Sequence, residues 1–171
     1  SREKAPEKTF SSLNVLIEEI LQLTEQSAQV NDIQIITDLD EELPDIWMDE
    51  NLIKQVIMNM LVNAQHAIEG EGSITIKTRL CDGDECPESC PDCEGMAEII
   101  ITDTGCGIPE EDLQRIFDPF FTTKGVGRGT GLGLSVSHGT IEAHGGAIEV
   151  ESEVDKGTEF RIFLPLHPSG D

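Results

Sequence analysis

The stretch Gln55–Ile68, QVIMNMLVNAQHAI, carries two patterns at once. Val56, Ile57, Met60, Leu61 and Ala64 recur at helical spacing and make one apolar side. Asn59, Asn63 and His66 fall at i, i+4 and i+7, a polar stripe on a second face of the same helix. An Asn side-chain carbonyl is a neutral oxygen ligand of the kind Mg²⁺ accepts while phosphate oxygens and water complete its octahedron. A solvated helix face is the alternative reading of the stripe, and a surface histidine the alternative reading of His66.

Working outward, the spacing predicts this helix over about Asp49 to Ile68, after an acidic turn DLDEELPDIW broken at Pro44. Upstream, Ser11 or Ser12 is placed to cap a helix with Leu13, Leu16, Ile17, Ile20, Leu21 and Leu23 on its apolar stripe, and Ile33 to Leu39 reads as a strand. Downstream, Ser73 to Leu80 and Ala97 to Thr102 read as strands bracketing a cysteine-rich segment. A short helix near Glu110 to Ile116 follows, then a helix from Leu132 to Ala143 stopped by Gly145 and Gly146. Strands Ala147 to Val154 and Thr158 to Leu164 form a hairpin around DKG. This order of elements, without internal repeat, predicts an α+β fold: a two-layer α/β sandwich with helices on one face of a mixed sheet. Residues 1–9 are expected as linker, 10–166 as one domain with a hairpin insertion at 81–93, and 167–171 as a tail.

The chain has 171 residues, within the range of a single core, with 11 basic residues against 34 acidic ones and a formal net charge of −23. That balance argues against unassisted binding to nucleic acid or an anionic membrane surface. The basic residues are unevenly spread: none lies between Thr9 and Ile53, while Arg115, Lys124 and Arg128 cluster around the run KGVGRGTGLGLS, Lys124–Ser135. An anionic ligand would be drawn there. The run is neither a dinucleotide-binding turn, since no register supplies the third glycine, nor a Walker A loop, since its lysine precedes the glycines. No apolar segment approaches the ~20 residues of a membrane span and no signal peptide is visible, so a cytoplasmic location is the expectation, whether the parent protein is soluble or membrane-anchored.

In ITDTGCGIP, Ile101–Pro109, an apolar strand delivers Asp103 onto a glycine turn. A carboxylate there can accept the exocyclic amine of adenine, and Gly105 and Gly107 would let a flat ring approach the backbone.

Taken in order, NMLVNA, DTGCG, DPFFTTK, GRGTGLGLS and GTEFRIFLP resemble the N box, first glycine box, F box, second glycine box and closing segment of the ATP-binding catalytic domain of bacterial sensor histidine kinases. That family belongs to the superfamily shared with gyrase, heat-shock chaperones and mismatch-repair ATPases. The resemblance covers nearly the whole chain except the cysteine segment, and NAQHAI with DPFFTTK is similar to the nitrogen-regulatory type. It implies a Bergerat-type fold with a largely antiparallel sheet, and ATP with Mg²⁺ as ligands. Asn63 would hold Mg²⁺ with Asn59 in support, and His66 would reach the phosphates. Asp103 would fix the adenine amine and Thr158 join that network through water. Gly105, Gly107 and Ile108 would line the base. A lid from about Phe117 to Gly131, anchored by Phe120 and Phe121, would bring Thr122, Thr123, Lys124, Arg128, Gly129, Thr130, Gly131, Leu132, Gly133 and Leu134 to the nucleotide, with Lys124 and Arg128 facing the triphosphate.

The superfamily's hydrolases carry a water-activating glutamate in E-x-x-x-N, where this chain has Asn59 and N-x-x-x-N. The resemblance therefore implies phosphoryl transfer to a histidine on a separate helical dimerisation domain, then to an aspartate of a response-regulator receiver domain, within a homodimeric parent. None of His66, His138, His144 and His167 lies in a His-Glu helix like the family's acceptor motif. A serine kinase of the anti-sigma-factor kind and a nucleotide-gated binding module are the alternatives.

The segment CDGDECPESCPDC places Cys81, Cys86, Cys90 and Cys93 within reach of one Zn²⁺ or an iron–sulfur cluster, against free thiols at a long hairpin tip. The family does not require it. Cys106, in the glycine turn, reads as a small apolar residue beside the pocket.

Overall fold

The computed structural model describes residues 5–81, 95–121 and 133–167. The chain runs β1 (Thr9–Ser11), α1 (Leu13–Val30), β2 (Ile33–Asp38), β3 (Ile46–Met48), α2 (Glu50–Ala67), β4 (Gly72–Cys81), β5 (Met96–Asp103), α3 (Glu110–Leu113), α4 (Gly133–Ala143), β6 (Ala147–Glu153) and β7 (Gly157–Pro165). Five strands form one sheet in the order β2-β4-β5-β7-β6. Only the β2–β4 pair is parallel; the other three pairs are antiparallel. The expected two-layer α+β sandwich with a mixed, largely antiparallel sheet is what the chain forms.

The two long helices start where side chains satisfy their first amides. Ser12 Oγ accepts from the Val15 N–H at 3.3 Å, and Asp49 accepts from the Asn51 and Leu52 N–H groups. The α1 stripe buries Leu13, Leu16, Ile17, Ile20, Leu21 and Ala28. Leu23, expected on that stripe, is 68% exposed, because the 3.6-residue period places Thr24 inward instead. On α2, Ile53, Val56, Ile57, Met60, Leu61 and Ala64 are buried. They meet the inward side chains of the sheet, among them Ile74 and Ile76 of β4, Ile99 and Ile101 of β5, and Phe160 and Ile162 of β7. The central strand β5 is buried along most of its length, consistent with neighbours on both edges.

A second, two-stranded sheet pairs β1 with β3, setting Phe10 opposite Trp47 with ring centroids 4.9 Å apart. Neither three-residue strand is expected from the sequence: Thr9 opens β1 within the supposed linker, and Ile46–Met48 lies in what reads as an acidic turn. The Trp47 N–H donates to the Leu166 carbonyl, fastening this ribbon to the end of β7. His167, assigned to the tail, stands edge-on to Phe10.

His144, just past α4, ties the ribbon side to the helices. Its Nε2 accepts from the Asp49 N–H at 3.1 Å, which leaves Nδ1 to donate to the Thr140 carbonyl at 2.8 Å. Burial holds this imidazole below the usual histidine range; the Thr140 carbonyl and Asp49 pull upward, and Lys8 adds to the lowering. Because the folded value lies below the unfolded one, the neutral ring supports folding above about pH 6.5, and that support is lost as pH falls. His144→Ala is expected to lower the unfolding free energy at pH 8 by about 1–3 kcal/mol. In paired denaturant titrations the gap to wild type should narrow as pH is lowered below 6.5, and a gap that widens instead would contradict the neutral-acceptor assignment.

Candidate nucleotide site

At the end of β5, Asp103 stands in register with Thr158 of β7, and both are buried. Its Oδ1 accepts from the Gly105 N–H at 2.8 Å, and its carboxylate also accepts from the Thr158 N–H. Burial nevertheless raises the carboxyl above its ordinary value, the two amides acting in the opposite direction. Its folded value exceeds the unfolded one, so ionising it in the folded state costs free energy at every pH above its titration.

The glycine turn that follows is locked by backbone. The Cys106 N–H donates to the Ala67 carbonyl at 2.8 Å, and the Cys106 carbonyl accepts from the Asp155 N–H at 2.8 Å, bridging the end of α2 to the tip of the β6–β7 hairpin. A Cβ on Gly105 would stand 2.6 Å from the Ala67 oxygen. One on Gly107, at φ +74°, would stand 2.1 Å from the Glu153 oxygen. Close packing of chain on chain therefore requires both glycines, a reason separate from the approach of a flat ring that the sequence suggests. Cys106 is exposed, with its backbone rather than its thiol committed, so it is not the apolar pocket residue expected.

Ser152 completes this corner. Its hydroxyl accepts from the Ile108 N–H at 2.7 Å and lies 2.8 Å from Thr158 Oγ1. The sequence reading passed over Ser152, although a hairpin around DKG with this register sets residue 152 opposite Thr158.

Across the sheet-facing helices, α2 packs against α4. Asn59 is half-buried, with Nδ2 3.5 Å from Ser137 Oγ, and a Cβ on Gly133 would lie 3.8 Å from Asn59 Cγ. The start of α4, at Gly133, thus stands beside Asn59. Asn63, one turn on, is half-buried and His66 is exposed near the helix end. In the F box, the Phe121 N–H bonds to the Asp118 carbonyl at 3.2 Å with Phe120 at φ +67°. That turn tucks Phe121 toward the core under the Arg115 guanidinium, 4.7 Å from its ring, and throws Phe120 outward, 73% exposed. Phe121 packs against the core and Phe120 does not. Thr122, Thr123, Lys124, Arg128, Gly129, Thr130, Gly131 and Leu132 lie outside the described residues.

Cys86, Cys90 and Cys93 also lie outside them. Cys81 is fully buried beside Met96 and Phe163. Among the described residues no group of three or more His, Cys, Asp or Glu is placed to hold a metal ion. No helix among them is long and apolar enough to cross a membrane.

Comparison with known proteins agrees with this geometry. The family model "Histidine kinase-, DNA gyrase B-, and HSP90-like ATPase" matches residues 48–168. The signal transduction histidine-protein kinase AtoS of Escherichia coli is 41% identical over 160 residues, 94% of this chain and 24% of AtoS. The sensor kinase CckA of Brucella abortus is 39% identical, over 91% of this chain and 18% of its own length. The chain therefore spans about a quarter or less of these two relatives. Among solved structures, the nucleotide-free catalytic domain of histidine kinase ThkA superposes with a TM-score of 0.78 at 33% identity, covering 95% of this chain and 99% of that one.

Gly105→Ala should lower the stability of the nucleotide-free protein by about 1–3 kcal/mol, because the Ala67 backbone cannot give way as a side chain can. Unchanged thermal unfolding, with only nucleotide affinity reduced, would return Gly105 to the ring-approach role. The buried Asp103 beside Thr158, Asn59 beside the start of α4 and the matches together place this chain in the histidine kinase-, DNA gyrase B- and HSP90-like ATPase family, as a histidine kinase catalytic domain.

Proposed function

We propose that the chain binds ATP with Mg²⁺ between α2, the Asp103 turn and α4, and transfers the γ-phosphoryl group to a histidine on a separate helical dimerisation domain of a homodimeric longer protein. The group then passes to an aspartate of a response-regulator receiver domain. In the first step the bond from γ-phosphorus to the bridging oxygen breaks, a bond to an imidazole nitrogen forms, and ADP departs.

The observation that carries this reading is Asp103: a buried carboxylate, destabilised by burial, oriented by two amides and flanked by Thr158. It would accept the amine of adenine. The amide oxygens of Asn59, beside the start of α4, and Asn63 are neutral, hard donors on one helix face, a set that suits Mg²⁺ alongside phosphate oxygens. Magnesium, when bound, neutralises charge across the phosphates. His66, Lys124 and Arg128 would meet the triphosphate from the side, and Asn59 in place of glutamate removes the general base that hydrolysis of ATP by water would use.

The acceptor is supplied from elsewhere in this reading. His144 is buried with both nitrogens engaged, His138 lies against Phe117 and 3.5 Å from Glu142, and His167 lies against Phe10. A histidine kinase related to this chain, ThkA, has been solved in complex with the response regulator TrrA, with a TM-score of 0.75 at 30% identity over 96% of this chain and 43% of ThkA. That relation supports a receiver domain as the downstream partner and leaves the serine-kinase alternative without an observation in its favour. A zinc or iron–sulfur centre at the cysteine segment has no observation in its favour among the described residues.

Labelled ATP offered to the chain alone should leave no stable acid-labile label on it, and label should appear on an added dimerisation domain that carries the acceptor histidine. Asp103→Asn should weaken nucleotide binding by about tenfold or more, while the nucleotide-free variant unfolds at a higher temperature at neutral pH. Acid-labile label on the isolated chain, or unchanged nucleotide affinity in the variant, would contradict the proposal.

A further inference from the structure

The Ser152 hydroxyl touches three groups: the Ile108 N–H at 2.7 Å, the Gly157 carbonyl oxygen at 3.0 Å, and Thr158 Oγ1 at 2.8 Å. A serine hydroxyl has one proton to give and two lone pairs to receive. The carbonyl only accepts, so the proton goes to Gly157. The amide only donates, so Ile108 takes one lone pair. The second lone pair is left for Thr158, and the threonine hydroxyl must donate to it. The opposite choice, Ser152 donating to Thr158, would face two lone-pair-bearing oxygens at 3.0 Å with no proton between them.

With its proton turned to Ser152, Thr158 Oγ1 has only acceptor capacity left. Its strand partner Asp103, when ionised, is also acceptor-only. We propose that Ser152 is the positioning residue that sets purine choice: it fixes the Thr158 hydroxyl so that the base end of the site offers acceptors alone and favours a 6-amino over a 6-oxo purine nucleotide. The relay works equally through one water. A water donating one proton to Thr158 has its other proton for adenine N1, which accepts, whereas a 6-oxo purine carries a proton on N1. This inference rests on the nucleotide reading above and adds the residue that governs base choice.

Binding of ATP and ITP, each with Mg²⁺, is to be measured by calorimetry for wild type, Ser152→Ala, Ser152→Thr, Thr158→Val and the Ser152→Ala/Thr158→Val double variant. Wild type should prefer ATP by about 100-fold, and Ser152→Ala should narrow that ratio about tenfold, because the freed threonine hydroxyl can turn its proton to a 6-oxo group. Ser152→Thr, which keeps the hydroxyl, should restore the ratio. In the Thr158→Val background Ser152→Ala should leave the ratio unchanged, since the relay has no threonine to act through. Equal loss of ATP and ITP affinity in Ser152→Ala, or a ratio that shifts without Thr158, would reduce Ser152 to a structural role and overturn the inference alone. Failure of the wild type to bind ATP would overturn the nucleotide reading and the inference with it.

Discussion

The pairing of β5 with β7 sets Asp103 opposite Thr158, and the rest of the site depends on how that buried carboxylate is accommodated. Close strand approach is possible because residue 157 is glycine: a Cβ there would stand 1.9 Å from the Asp103 carbonyl oxygen, and φ at +129° would strain any other residue. The backbone then turns so that Gly105 and Thr158 present their amides to the carboxylate. Two amides do not offset the desolvation, so the site retains a charge that has been partly stripped of water and not fully compensated. In the proposed complex a ligand amine would supply what the fold withholds. The same corner receives the end of α2 through Ala67 and the hairpin tip through Asp155, so the Asp103 turn, the asparagine helix and the hairpin share one backbone junction.

The other face of the sheet treats charge differently. Glu98 of β5 is buried yet ion-paired to Arg79 Nε, and Arg161 of β7 bridges Glu159 at 2.7 Å and Glu151 at 3.2 Å. Each buried or half-buried acid there has a cation, whereas Asp103 has amides only. On a chain with net charge −23 this division is informative: the outer sheet face pairs its acids with cations, and under the proposed function the base end of the site would select by hydrogen-bond polarity rather than by charge.

Much of this was legible in the residues. The apolar periods of α1 and α2 fixed their faces, and both helix starts carry cap residues that did cap. Asp103 and Thr158 came forward because two motifs well separated in the chain resembled one family's site. What was missed has common physical causes. The β1 and β3 strands are three residues long, too short to show alternation, and are held by the tilted Phe10–Trp47 ring contact and by the Trp47 N–H donating to the Leu166 carbonyl across the fold. Leu23 and Phe120 are apolar side chains whose exposure is decided by helix phase and by one left-handed turn. Gly105 and Gly107 were recognised as necessary, but their neighbours, Ala67 and Glu153, are distant in sequence. Ser152 and His144 act through hydrogen bonds that only the folded register brings together.

The most direct measurement of the central claim is an amide NMR titration of the isotope-labelled chain with ADP and Mg²⁺. The account predicts that the Gly105, Ile108 and Thr158 amides shift together with one dissociation constant, while Glu98 and Arg161 on the outer sheet face hold still. Shifts centred on the Phe10–Trp47 ribbon or the outer face, with Gly105 and Thr158 unmoved, would contradict it.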